Sequence, residues 1–101
     1  MNLNISDKLG HEKQEITIAE GKTYVVNCGA RIMMKAQDIF KKDDSLEGFF
    51  KVIELLLGKK AKDDIDKMDL TIKELKTIIT AIMAQVNEIS YEEMEKRFQN
   101  K

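Results

Sequence analysis

The residues of this chain that could do chemistry are few and scattered. Asp63, Asp64 and Asp66 stand close together, Ser45 lies between Asp44 and Leu46, and His11 and Cys28 are each the only residue of their type. Catalysis needs a nucleophile, base or metal held by neighbours of the right kind. The three aspartates are interleaved with Lys59, Lys60, Lys62 and Lys67, the pattern of a solvated charged face. His11 has no cysteine, histidine or acidic cluster at metal-ligand spacing and reads as an exposed loop residue. Cys28 cannot form an intramolecular disulfide and reads as a small buried apolar side chain at a strand end. No glycine-rich phosphate loop, CxxC pair or HExxH spacing occurs. Ser45 has a sufficient role as a helix cap. The expectation is a protein that is not an enzyme and uses neither cofactor nor metal.

What positions these residues follows from composition and periodicity. A chain of 101 residues with 43% hydrophobic and 35% charged side chains and no proline has enough apolar material for one core. One domain over 1–101 is expected, with strands in 1–27 and helices in 30–98. Seventeen basic and eighteen acidic residues alternate along it. No basic stripe is left to neutralise phosphates, which argues against nucleic acid and membrane surfaces as partners. The longest apolar run, Leu55-Leu56-Leu57, is far short of the roughly 20 residues of a membrane span, and no signal-peptide pattern opens the chain. A cytoplasmic protein is expected.

The first third favours extended structure. "NLNIS" alternates Leu3 and Ile5, "EITIA" alternates Ile16 and Ile18, and "KTYVVN" carries Tyr24, Val25 and Val26. Two or three strands are expected, separated in part by the polar stretch "DKLGHEKQ". A bulged hairpin through Ala19-Glu20-Gly21, with Gly21 left-handed, pairs Ile16 with Tyr24 and Ile18 with Lys22. That register gathers Ile16, Ile18, Tyr24 and Val26 on one face, whereas an unbulged two-residue loop would split them.

After Gly29 the spacing turns helical. Ile32, Met33, Ala36, Ile39 and Phe40 fall within about 120° of one another at 100° per residue, with Met34 outside. A cap at Asp44 or Ser45 opens a second helix, on which Leu46, Phe49, Phe50, Val52, Ile53, Leu56 and Leu57 share a face and Leu55 stands off it. Gly58 ends it. "KKAKDDIDKMDL" supplies a short clip held by Ala61, Ile65 and Met68. Thr71 and Glu74 form a capping box for a longer helix whose stripe runs Ile72, Leu75, Ile78, Ile79, Ile82, Met83, Val86 and Ile89. Lys73, Glu74, Lys76, Thr77, Thr80, Gln85, Asn87 and Glu88 fall opposite. Ser90 and Glu93 open a last helix with Tyr91, Met94 and Phe98 on one side, which either folds back on the body or presents a sticky face. The fold class expected is α+β: four to five helices with an N-terminal β-hairpin or short antiparallel sheet. Met34 and Leu55 lie off the apolar faces of their helices, and Met94 and Phe98 lie on a terminal helix that the expected core does not require; these four are the candidate partner-binding residues.

Two resemblances bear on function. The segment "DDSLEGFFKVIELLLG" resembles the attachment site of acyl carrier proteins, which implies a phosphopantetheine arm on Ser45 of Asp44-Ser45-Leu46. Those carriers are strongly acidic, whereas this chain is balanced, carries strands in front and lacks the usual preceding glycine. From about residue 15 to 89 the hairpin, helix, linker and "LLGKKAKDDIDKMDLTIKELKTIITAIMAQV" resemble the small tail assembly chaperones of long-tailed bacteriophages, particularly of Gram-positive hosts. The matching features are Leu56-Leu57-Gly58, Ile65 and Met68 in the clip, the Asp69-Leu70-Thr71 entry and the Ala81-Ile82-Met83-Ala84 core. This resemblance implies a non-enzymatic protein in the bacterial host cytoplasm that coats the helical tape measure protein while the tail tube protein polymerises around it. A homo-oligomer is compatible with it, and a generic helical adaptor is the plainer alternative.

Overall fold

The computed structural model describes residues 1–9 and 13–99, so the expectation for His11 falls outside the described residues. The elements are α1 (Ser6–Leu9), β1 (Glu15–Ala19), β2 (Lys22–Val25), α2 (Ala30–Lys42), α3 (Leu46–Leu57), α4 (Lys59–Lys67), α5 (Ile72–Asn87) and α6 (Tyr91–Gln99). The fold is α+β, mainly helical with one antiparallel hairpin. The helix beyond the expected five is α1, a single turn.

Local chemistry explains most boundaries. The Ser45 hydroxyl accepts from the Gly48 N–H at 3.0 Å and starts α3, while the Ser45 N–H donates to Asp43 Oδ1 at 2.8 Å. Asp43, not Asp44, therefore shares the capping. Gly58 at φ +93° ends α3 in a conformation that would strain any other residue. Thr71 and Glu74 complete a reciprocal capping box at α5, with bonds of 2.9 and 3.1 Å. That helix stops at Asn87, because Glu88 turns left-handed at φ +57° and its N–H reaches back to the last turn. Ile89 then packs on the core from outside the helix rather than as its last residue.

Helix α3 is the hub, packed against α2, α4 and α5, and α6 folds back on α5. Phe49, Val52, Ile53 and Leu56 of α3 are fully buried, as are Ile79, Ile82 and Met83 of α5 and Ile65 of α4. Each such side chain contributes on the order of 1.5–3 kcal/mol. Four positions depart from the helical wheels, Leu55 among them, off its arc yet half-buried. Leu46 and Ile72 lie on the apolar arcs but stand half-exposed in the first turns of their helices, where no neighbouring element reaches. Thr80 falls on the polar arc of α5 yet is buried.

The hairpin keeps its expected face by a different route. Ile16 pairs with Tyr24 as expected, but Ala19 rather than Ile18 pairs with Lys22, and the irregularity lies between Thr17 and Ala19. Ile18 is thus the bulged residue, and Gly21 takes φ +74°. The extra residue leaves Ile16, Ile18 and Tyr24 half-buried and Val26 buried, while Thr17 and Thr23 share a 2.8 Å hydrogen bond on the other face. The hairpin is tied down by the Asn27 N–H donating to the Leu56 carbonyl (2.7 Å) and by Gln85 Nε2 donating to the Glu15 carbonyl (3.0 Å).

"NLNIS" is not a strand. Residues 1–5 are irregular, the Ser6 N–H caps onto Asn4 Oδ1 at 3.0 Å, and the single turn of α1 follows with nothing buried. Strand periodicity without a neighbouring strand to pair with does not make a strand. The radius of gyration, 14.8 Å, exceeds the roughly 13 Å of a compact chain this long, and the extents are 56 × 34 × 21 Å.

Candidate interaction surface

The four apolar residues expected to face a partner separate into three environments. Met34 points away from the core on α2 and is 72% exposed. Leu55 is half-buried and packs on the margin of the core, although its helical angle placed it off the apolar face. Met94 is only 2% exposed, which corrects the expectation of an accessible side chain. It belongs to the core because α6 folds back over α5. Phe98 is half-buried for the same reason, its ring edge-on to Phe40 with centroids 4.6 Å apart.

That fold-back builds a groove not read from the sequence. Phe40, Thr77, Thr80, Tyr91 and Phe98 line a hollow of about 220 Å³, with Asp44, Lys73, Lys76 and Glu95 around it. Phe40 also packs edge-on to Phe49, at 5.9 Å, and Lys76 Nζ lies 5.8 Å from the Phe49 ring, within cation–π range. The volume falls below the roughly 300–1,000 Å³ of small-molecule sites. It has room for about one apolar side chain, with charges of both signs around it. The available signal was the i, i+3, i+7 set of Tyr91, Met94 and Phe98. Buried Thr80 was the element that spacing could not supply.

A second hollow of about 490 Å³ runs beside β2, between Thr23, Tyr24 and Val25 and the side chains of Leu57, Lys60, Ala61 and Asp64. The Tyr24 hydroxyl donates to Asp64 Oδ2 across it at 3.0 Å. Partial burial, followed by that hydrogen bond and the Asp64 charge, pushes the Tyr24 phenol above its ordinary value. The hydrogen bonds from Ser45 hold the Asp43 carboxyl below the usual carboxylate range. Both shifts have structural causes: the Asp64 contact joins β2 to α4, and the Ser45 contact caps α3. Among the described residues no group of three or more Cys, His, Asp or Glu side chains could hold a metal ion.

Ser45 is exposed and both its hydroxyl and its N–H serve the α3 cap. Gly48 was missed as a structural residue: a Cβ there would meet the Asp43 carboxyl at 2.5–2.8 Å. A glycine inside an otherwise strong helical pattern is the signal that could have found it. Among the described residues no helix is long and apolar enough to cross a membrane. Comparison of the chain with protein-family models, curated proteins and solved structures finds no match.

Proposed function

We propose that this chain is an interaction protein that holds an amphipathic helical client, and that the client is the tape measure protein of a long-tailed bacteriophage during tail assembly in the host cytoplasm. The observation that carries the reading is apolar surface left open beside a completed core, with Met34 at 72% exposure as its clearest member. Methionine adapts its shape to a partner, and an amphipathic helix presents anchors at i, i+3 and i+4 spacing. The aromatic groove between α5 and α6 supplies a socket for one such anchor. The likeness of residues 15–89 to tail assembly chaperones supplies the identity of the client.

The test is co-purification of the tagged chain with segments of the tape measure protein. Met34→Glu is expected to leave circular dichroism and melting unchanged, because exposed substitutions usually stay within about 0.5 kcal/mol, and to reduce capture more than about tenfold, since one apolar anchor is worth that much. Capture unchanged in this variant removes Met34 from the surface, and no capture by the wild-type chain removes the client. Leu55→Glu is a poorer probe, because its half-buried side chain also contributes to stability.

One observation favours the carrier reading: Ser45 is solvent-exposed at a helix start. Co-expression with a phosphopantetheinyl transferase decides it. An unchanged intact mass rejects the carrier, and an added arm on Ser45 displaces the chaperone reading.

A further inference from the structure

We infer that residues 2–5 of one copy of this chain add as a third strand to the outer edge of β2 in a second copy, and the reverse, giving a twofold dimer joined by exchanged N-terminal arms. The inference is independent of the client proposed above. It joins two features that the monomer leaves incomplete.

The first is the arm. Leu3 is 84% and Leu9 71% exposed, and no residue of the first nine is buried. The hydrogen bonds seen there are local: the Ser6 N–H to Asn4 Oδ1, and the Lys8 N–H to the Ile5 carbonyl at 2.9 Å. Leu3 and Ile5 nonetheless alternate at the period of a strand, which would place both on one face once a pairing edge is available.

The second is the edge. The Val26 N–H donates to the Gln14 carbonyl, so the alternation of an antiparallel ladder turns the backbone groups of Thr23 and Val25 away from β1. Among the described residues no strand pairs with that side of β2. Beyond it the Asn27 N–H is taken by the Leu56 carbonyl, so the open edge is about the four residues Lys22–Val25, matched by the four residues 2–5. The hollow of about 490 Å³ lies along this edge, with Leu57 and Ala61 among its lining. An added strand would project Leu3 and Ile5 into it. Lys22, Lys60 and Asp64 border the hollow, and Asp7 and Lys8 follow the proposed strand, so both sides carry charges of both signs.

A second copy is favoured as occupant because arm and edge are carried on the same polypeptide, so the exchange is reciprocal and closes, leaving neither edge to propagate. Four extended residues make a strip about 13 Å long and, at sheet thickness, about 10 Å wide. Two such arms, counted on both sides of each contact, bury about 500 Å², below the standard size of a stable interface, so the dimer is a weak one that forms as concentration rises.

Light scattering on the full chain should rise with concentration toward twice the 11.6 kDa monomer mass. Leu3→Asp/Ile5→Asp should weaken the dimer more than about tenfold, as loss of two apolar anchors predicts, with circular dichroism unchanged. Val25→Pro removes the outward N–H without touching the β1 ladder and should weaken it likewise. Mixing the two variants should restore a heterodimer, because one intact arm then meets one intact edge. Hydrogen exchange should protect alternate backbone amides within residues 2–5 in the wild-type dimer, and not in Val25→Pro. A monomeric wild type overturns the inference, whether its arm amides exchange freely or are protected by closure on its own edge. So does a dimer that survives both sets of substitutions, or a mixture that stays monomeric.

Discussion

The helical body and the N-terminal third carry the same kinds of apolar residue and use them differently. From Ala30 to Gln99 each helix meets at least one other, and the stripe on each is largely covered, Leu46 and Ile72 in the first turns of α3 and α5 apart. From Met1 to Leu9 there is a comparable apolar alternation with no second layer, and nothing is buried. The difference shows what periodicity can specify. A repeat of apolar residues states which side chains will share a face once the segment has a conformation. The partner surface decides whether that conformation forms at all. The hairpin lies between these cases, since α3, α4 and α5 each give it one hydrogen-bonded anchor and only one of its faces is covered.

The sharpest test of this contrast compares equivalent truncations in the two regions. Phe49 is fully buried and meets both Phe40 and Lys76. Phe49→Ala is expected to cost about 3–5 kcal/mol, a large part of the about 5–15 kcal/mol that holds a domain together. At about 4–8 °C per kcal/mol the melting temperature should fall by at least about 12 °C. Leu3→Ala at concentrations low enough to keep the chain monomeric should shift it by less than about 2–4 °C, since exposed positions stay within about 0.5 kcal/mol. Equal losses in the two variants would mean that the arm is part of the monomer's core and erase the distinction.

The same contrast explains what could be read in advance. Thr71 and Glu74 were legible because a capping box is a purely local arrangement, and its two hydrogen bonds are present. The shared face of Ile16, Ile18, Tyr24 and Val26 was legible because one side of a hairpin must be covered. Placing the bulge at Ile18 was not, because a three-residue loop and a bulged strand both restore that face. Thr80 and Met94 were misjudged for one reason: burial at both positions depends on α6 folding back, which no spacing within α5 or α6 encodes. Leu46 and Ile72 erred in the opposite direction, since a helical wheel has no ends and these residues lie where the covering elements stop. The groove of Phe40, Tyr91 and Phe98 was therefore invisible as a site, although each of its aromatic residues had been placed on the right helix.

Gly48 offers a smaller and more local test inside the body itself. Alanine in place of an interior helical glycine ordinarily stabilises by about 1 kcal/mol. Here the new Cβ would displace the Asp43 carboxyl from its bond to the Ser45 N–H, so Gly48→Ala alone should change stability little. In an Asp43→Ala background the full gain should appear, and a double-mutant cycle by urea unfolding measures the coupling. The pH dependence has a defined sign. The Asp43 carboxyl is held below its ordinary value of 3.8, so its contribution is complete above that value and is lost as pH falls through the lower folded one. Wild type should lose more stability than Asp43→Ala across that acidic window. Additive effects at neutral pH would show that the cap tolerates a side chain at position 48 and that the glycine has no structural role.

The smallest expected effect tests the hairpin's intermediate status. Tyr24→Phe keeps the ring and removes the hydrogen bond to Asp64, a contact between β2 and α4 at a half-buried site, for a cost of about 0.5–1 kcal/mol. Its pH dependence runs opposite to that of Asp43. Burial and Asp64 raise the phenol above 10.0, so the stabilisation is complete below pH 10 and is lost as pH rises through the folded value. Ionisation would remove the donor and set a phenolate against the Asp64 carboxylate. Wild type should therefore lose stability in alkaline solution faster than Tyr24→Phe, with the two curves parallel at neutral pH. If the substitution instead costs several kcal/mol at neutral pH, the hairpin is bound to the helices as tightly as they are to one another. The open edge of β2 would then border a rigid wall, and the arm would dock on a preformed surface instead of helping to hold the hairpin in place.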